Sequence, residues 1–200
     1  GVIGLTGAGT TTLLKVMCGI YPPTSGQVTV EGDIAGYDTR ILDLAVLKGF
    51  FGCISEEPVT YVNAPQLADE HGVEVRNVNS TQSADFVNVV RIAGGGHSVS
   101  GTLHGPRSEQ RIVNIDGVPF DVPPADHMVV ITNDDRPGVI GSVGTILGDA
   151  LVNITDMDVS RVEETNSAVM LIAPSAEVST GVLDRVREAP GIVSVTPLLG

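Results

Sequence analysis

An α+β fold in two units is what these 200 residues predict: a mixed α/β unit, then a ferredoxin-like βαββαβ unit. Three observations carry this. From residue 127 onward, apolar residues alternate or recur at helical spacing in the order strand, helix, strand, strand, helix, strand, which is the split βαβ plan. Between residues 27 and 122, short β-branched runs are mixed with two helical stretches. Between the units stands Pro123-Pro124-Ala125-Asp126, a stiff polar joint.

Taken in order, residues 1–26 give a short apolar strand, a glycine-rich turn and a helix start. From Gln27 the character changes. Val28 and Val30 alternate as a strand, Gly32 and Asp33 turn, and Thr39 caps a helix carrying Ile41, Leu42, Leu44, Ala45 and Leu47, with Gly49 as its expected stop. Asn63-Ala64-Pro65 opens a short helix through His71, which Gly72 ends, and Val73 and Val75 begin a strand. Residues 86–93 and 97–104 read as a hairpin, and 111–122 as another pair turned at Asp116-Gly117. In the second unit the strands are 128–132, 153–162, 167–173 and 192–197, and the helices 138–149 and 177–188.

Composition narrows the function. The 42% hydrophobic and 18% charged content describes a chain that buries a core. A net charge of −13, with only 11 Lys and Arg, argues against nucleic-acid or anionic-membrane partners. Cys18 and Cys53 are too few and too isolated for a disulfide framework or zinc site, so a reducing cytoplasm is expected. His71, His97, His104 and His127 lack metal-ligand spacing, so no metal is expected; His97 and His104 either face each other across the hairpin or sit on its polar face. The sequence opens on Gly1 rather than Met, and is expected to be part of a longer protein.

The most informative stretch is 133–148, NDDRPGVIGSVGTILG, which follows the apolar strand MVVIT. Aspartate is a preferred N-cap and Pro137 suits the first helical position. A strand feeding a helix through a tight turn leaves the helix's first N–H groups pointing outward, here those of Gly138, Val139 and Ile140, ready for a carboxylate. Asn133 and Asp135 stand at the mouth of the turn, and Asn153 follows the helix. A carboxylate with amides suits an α-ammonium group, so the corner reads as an amino-acid site; Asp135 acting as a plain cap is the competing reading. Gly141, Gly144 and Gly148 each cost the helix about 0.5–1 kcal/mol relative to alanine, which suggests that a backbone or small ligand packs close.

Two resemblances add to this. Residues 1–26 resemble the P-loop segment of ABC-transporter ATPases: Gly4 and Gly9 have the spacing of G-x-x-x-x-G-K-[ST], and Thr11 holds the hydroxyl position. Thr10 stands where the lysine belongs and Lys15 is too far along to replace it, so ATP hydrolysis is not expected. The runs VEGDIAGYDTR, VTYVNAPQLADEHGVEV, SVSGTLHG, QRIVNIDGVPFDVPP and DRPGVIGSVGTILG resemble, in that order, the C-terminal half of long bacterial D-3-phosphoglycerate dehydrogenases. That resemblance implies an intervening, allosteric substrate-binding domain at 27–122 and an ACT domain at 127–200. It implies L-serine, or another small amino acid, as an effector held by Asp135 and Asn153, and self-association with the ligand at the seam. It also places NAD and the catalytic residues in a parent protein outside these residues, so that no cofactor is expected in this chain. Lys48 and Arg111 match basic positions of the family, with Arg107 and Arg40 nearby in sequence; they make an anion pocket or are solvated surface cations. The alternatives carried forward are an ATP-binding fragment built on residues 1–26 and an ACT module that senses another amino acid.

Overall fold

The computed structural model describes residues 25–55 and 57–199. The P-loop-like positions Gly4, Gly9, Thr10 and Thr11, with Lys15, lie outside the described residues.

The first unit is a six-stranded sheet. Strand β1 (Ser25–Gly32) leads through a 3-10 turn at Asp33–Gly36 to helix α1 (Arg40–Ile54) and helix α2 (Ala64–His71). The chain returns as β2 (Glu74–Ser80), parallel to β1 as a helical crossover requires. The remaining strands are β3 (Asn88–Gly94), β4 (His97–His104), β5 (Glu109–Ile115) and β6 (Val118–Val122), and the sheet order is β2-β1-β3-β4-β5-β6. His97 and His104 stand at opposite ends of β4, so they do not face each other; His97 Nδ1 instead lies 2.7 Å from Asp116 Oδ2.

Helix α1 does not stop at Gly49 but continues five residues further, to Ile54. Phe50 and Phe51 follow the glycine at core-facing positions and are only 6% and 1% exposed. Burying each is worth about 1.5–3 kcal/mol, more than the roughly 0.5–1 kcal/mol that a mid-helix glycine costs. Burial outweighs the local stop signal. Leu42, Val46, Phe50 and Phe51 pack on Val28, Val30, Val90, Ile92 and Ile112, one face of the sheet.

The second unit comprises β7 (His127–Asp134), α3 (Val139–Asp149), β8 (Ile154–Val162), β9 (Ser167–Pro174), α4 (Thr180–Arg187) and β10 (Ile192–Leu199). Its sheet order β10-β7-β9-β8 is the ferredoxin-like arrangement, so the fold is α+β as expected. Val129, Ile131, Met170, Ile172 and Val195 meet Val139, Val143, Leu147, Leu183 and Val186 from the helices.

The opposite face of this sheet is also buried. Met128, Leu171 and Leu198 belong to the same core as Phe120 and Val122 of β6. Two polar contacts fix the seam: Asp121 N–H donates to Asp158 Oδ2 at 2.8 Å, and the Ser160 hydroxyl donates to the Pro119 carbonyl. The stiff joint therefore connects units that share a hydrophobic interior. Among the described residues, no helix is long and apolar enough to cross a membrane.

Candidate functional site

Strand β7 alternates, and Asn133 has the parity of Val129 and Ile131, so it lies on the helix-covered face at the strand's end. It is 2% exposed. Its Nδ2 donates to the Asp134 carbonyl at 2.7 Å, while its Oδ1 is buried with no hydrogen-bond partner. A buried acceptor left this way costs about 1–3 kcal/mol, unlike the great majority of buried polar atoms in folded proteins.

The turn that follows differs from the expected capping. The N-cap is Gly138, at φ 96°, and no side chain caps the helix. Pro137 thus falls before the helix rather than at its first position, and Asp135 is free of capping duty. Asp135 instead pairs with Arg161 of β8, Nε to Oδ2 at 2.9 Å. The register explains how: Asn133 pairs with Ala168, and Ala168 with Arg161, so the three form one row across the sheet, about 10 Å from end to end. Arg136 turns back on Asp134 at 2.8 Å. The corner therefore gathers the Asn133 acceptor, the Asp135–Arg161 pair and the first turn of α3, where Val139 is buried and Ile140 is 45% exposed.

Asn153 does not join it within one chain. Both β7 and β8 run antiparallel to β9, so they share a direction, and Asn153 precedes β8 at the far end of the sheet. From Ile154 to Arg161 is roughly 23 Å of strand. Asn153 is exposed, and its carbonyl accepts from Ser175 N–H at 2.8 Å. The glycine face of α3 also departs from expectation: a Cβ placed on Gly141, Gly144 or Gly148 meets nothing within 4 Å. Among the described residues, nothing approaches that face closely.

The cations of the first unit stay apart. Lys48, on α1, stands over the Tyr61 ring at 4.6 Å. Arg111 pairs in register with Thr102, and its neighbour Ile112 faces the α1-covered core, so Arg111 lies on the opposite sheet face. There it sits between Glu109 at 3.5 Å and Asp121 at 3.7 Å, its Nε buried without a hydrogen bond. Arg107 is exposed in the turn after β4, and Arg40 is bound to Asp38 at 2.5 Å. Among the described residues, a sheet separates Lys48 from Arg111, so they do not line one pocket. A cleft of about 450 Å³ on the outer face carries Glu31 and Asp85 against Arg91, a charge balance that does not favour an anion.

Arg161 is the residue that sequence reasoning missed. Its signal was the lone cation in a strand otherwise marked by Asp156 and Asp158, but only the strand register brings it to Asp135.

Comparison with known proteins agrees with this architecture. Residues 23–116 match the D-3-phosphoglycerate dehydrogenase intervening domain, and residues 127–191 match the ACT domain. D-3-phosphoglycerate dehydrogenase of Mycobacterium tuberculosis is 35% identical over 184 residues, covering 88% of this chain and 35% of the relative. The Mycobacterium leprae protein of that name is 37% identical, covering 75% of this chain and 29% of the relative. That of Bacillus subtilis is 31% identical, covering 91% and 35%. The chain spans about a third of the length of these relatives. The two domain matches, in that order, place it in the D-3-phosphoglycerate dehydrogenase family, as a C-terminal regulatory region made of an intervening domain and an ACT domain.

Proposed function

We propose that this region senses an amino acid, L-serine first among the candidates, at the corner where β7 hands over to α3, and that binding there feeds back on serine synthesis. The observation that carries this reading is Asn133 Oδ1, a buried acceptor without a donor at the mouth of the turn. Asp135 beside it accepts from an α-ammonium group, and the N–H groups that open α3 suit an α-carboxylate. A small zwitterion with a hydroxyl uses each of these groups.

Asn153 enters through a second copy. The open glycine face of α3, with Ile140 and Met157 exposed beside it, is a surface for self-association. A partner docked there in the opposite sense would bring its Asn153 to the Asp135 corner. The family reading then puts NAD-dependent oxidation of 3-phosphoglycerate in segments outside these residues, and this chain alone is expected not to catalyse it. Feedback would act by differential binding, with a coupling on the order of 1–3 kcal/mol between effector and active site. The acidic balance, −13 overall, suits a small-molecule partner in the cytoplasm rather than nucleic acid.

Melting the chain against each of the twenty amino acids tests this. A ligand at about 100 times its dissociation constant adds roughly 2.7 kcal/mol, a rise of several degrees at this size. Asp135→Lys should abolish the serine-dependent rise while leaving the unliganded melting temperature within about 2 °C, since the arginine of its ion pair is 76% exposed and the pair adds little to folding. Stabilisation by another amino acid alone would transfer the reading to that ligand. Saturable Mg·ATP binding with no amino-acid response would favour the nucleotide alternative.

A further inference from the structure

Resting on the reading of this corner as an amino-acid site, we propose that Arg161 joins the N–H groups of α3 in binding the carboxylate, so that one strand-borne guanidinium and Asp135 together select an α-amino acid by both of its charges. Arg161 lies on the helix side of β8, in one row with Ala168 and Asn133. The middle member, Ala168, has only a methyl side chain and is itself 2% exposed. The closest approach of the pair is Arg161 Nε to Asp135 Oδ2, at 2.9 Å. A guanidinium has five N–H donors in a fixed fork, and its Nη edge suits a carboxylate held by two parallel hydrogen bonds. A carboxylate has two acceptor oxygens, so Asp135 can accept from the ammonium as well. The ion pair thus holds the two charged groups side by side. Asn133, 2% exposed and with only its Oδ1 unpartnered, lies in the same row and supplies an acceptor for a third group of the ligand.

The guanidinium is 76% exposed and Asp135 29% exposed, so the pair adds little to folding and its arginine can be replaced without loss of structure. The test is calorimetric titration of the whole 200-residue chain with L-serine and with L-serinamide, which keeps the ammonium and hydroxyl but lacks the carboxylate charge. The unaltered chain should prefer L-serine. Arg161→Gln should weaken L-serine binding about tenfold or more and change serinamide binding little, so that the preference collapses; Arg161→Lys should restore part of it. A residue with only a structural role would weaken both ligands alike. If Arg161→Gln keeps the wild-type preference, or loses both ligands equally, this assignment falls and the amino-acid site stands. If the unaltered chain binds no amino acid, the site falls, and this assignment with it.

Discussion

Two strand–turn–helix corners in this molecule have the same outline and opposite chemistry. Where β1 passes to α1, every prominent polar group closes on another. Ile34 N–H donates to Asn88 Oδ1 at 2.7 Å, Asn79 Nδ2 donates to the buried Thr39 hydroxyl at 3.0 Å, and Asn77 Nδ2 reaches Asp43 Oδ1 at 2.6 Å. Hydrogen bonds from Arg40 hold the Asp38 carboxyl down at about 2. Where β7 passes to α3, a buried acceptor stays unpaired and a carboxylate has only an exposed arginine for company. The first corner is complete as it stands. The second lacks a donor, and the proposed ligand site rests on that difference.

The contrast breaks most visibly at two glycines. Both Gly32 and Gly138 have φ near +95°, but a Cβ on Gly32 would lie 1.9 Å from the Val87 carbonyl oxygen, whereas on Gly138 it meets nothing within 4 Å. Gly32→Ala should cost about 3 kcal/mol or more, a fall of roughly 6–12 °C in Tm. Gly138→Ala carries only the left-handed backbone penalty, about 1–2 kcal/mol, and should lower Tm by about a third to two-thirds as much. Equal losses on thermal melting would mean that the two corners are equally crowded.

A smaller effect sharpens the polar side. Thr39→Val removes a hydroxyl bonded to two asparagines and should cost about 1 kcal/mol. Asn133→Leu removes an acceptor that bonds nothing, and the Asp134 carbonyl keeps its bond from Arg136 N–H at 2.9 Å. The unliganded chain should therefore melt within about 2 °C of wild type, while its response to serine falls.

The smallest change is Asp43→Asn. Burial raises the Asp43 carboxyl above its ordinary range, only partly offset by the bond from Asn77. A carboxyl raised on folding stabilises the fold while protonated, below the ordinary aspartate range, and loses that contribution as pH climbs through its folded value. At neutral pH, Asp43→Asn should thus raise Tm by about 1–2 °C, and the gain should vanish in acid.

Much of the fold was legible because its signals were local. Gly72 ends α2 and Asp116-Gly117 turns the last hairpin where their residue types place them. The misreadings came from terms that local pattern does not contain. Gly49 was overruled by the burial of Phe50 and Phe51, and Pro137 by a left-handed Gly138 that delays the helix start. At the candidate site, Asn133 and Asp135 were readable from one turn, but Arg161 lies 26 positions further on and joins them only through pairing across β9. Lys48 and Arg111 failed for the converse reason. Shared basic character says nothing about which side of a sheet each residue occupies.

The buried seam between the two sheets bears on any attempt to dissect the molecule. Cutting the polypeptide within Pro123–Asp126 would strip Met128, Leu171 and Leu198 of their covering and leave Phe120 and Val122 facing water. Neither half would be a self-sufficient module. A sticky apolar flank on each would favour precipitation or reunion over independent life, so the pair is expected to melt as one piece of architecture.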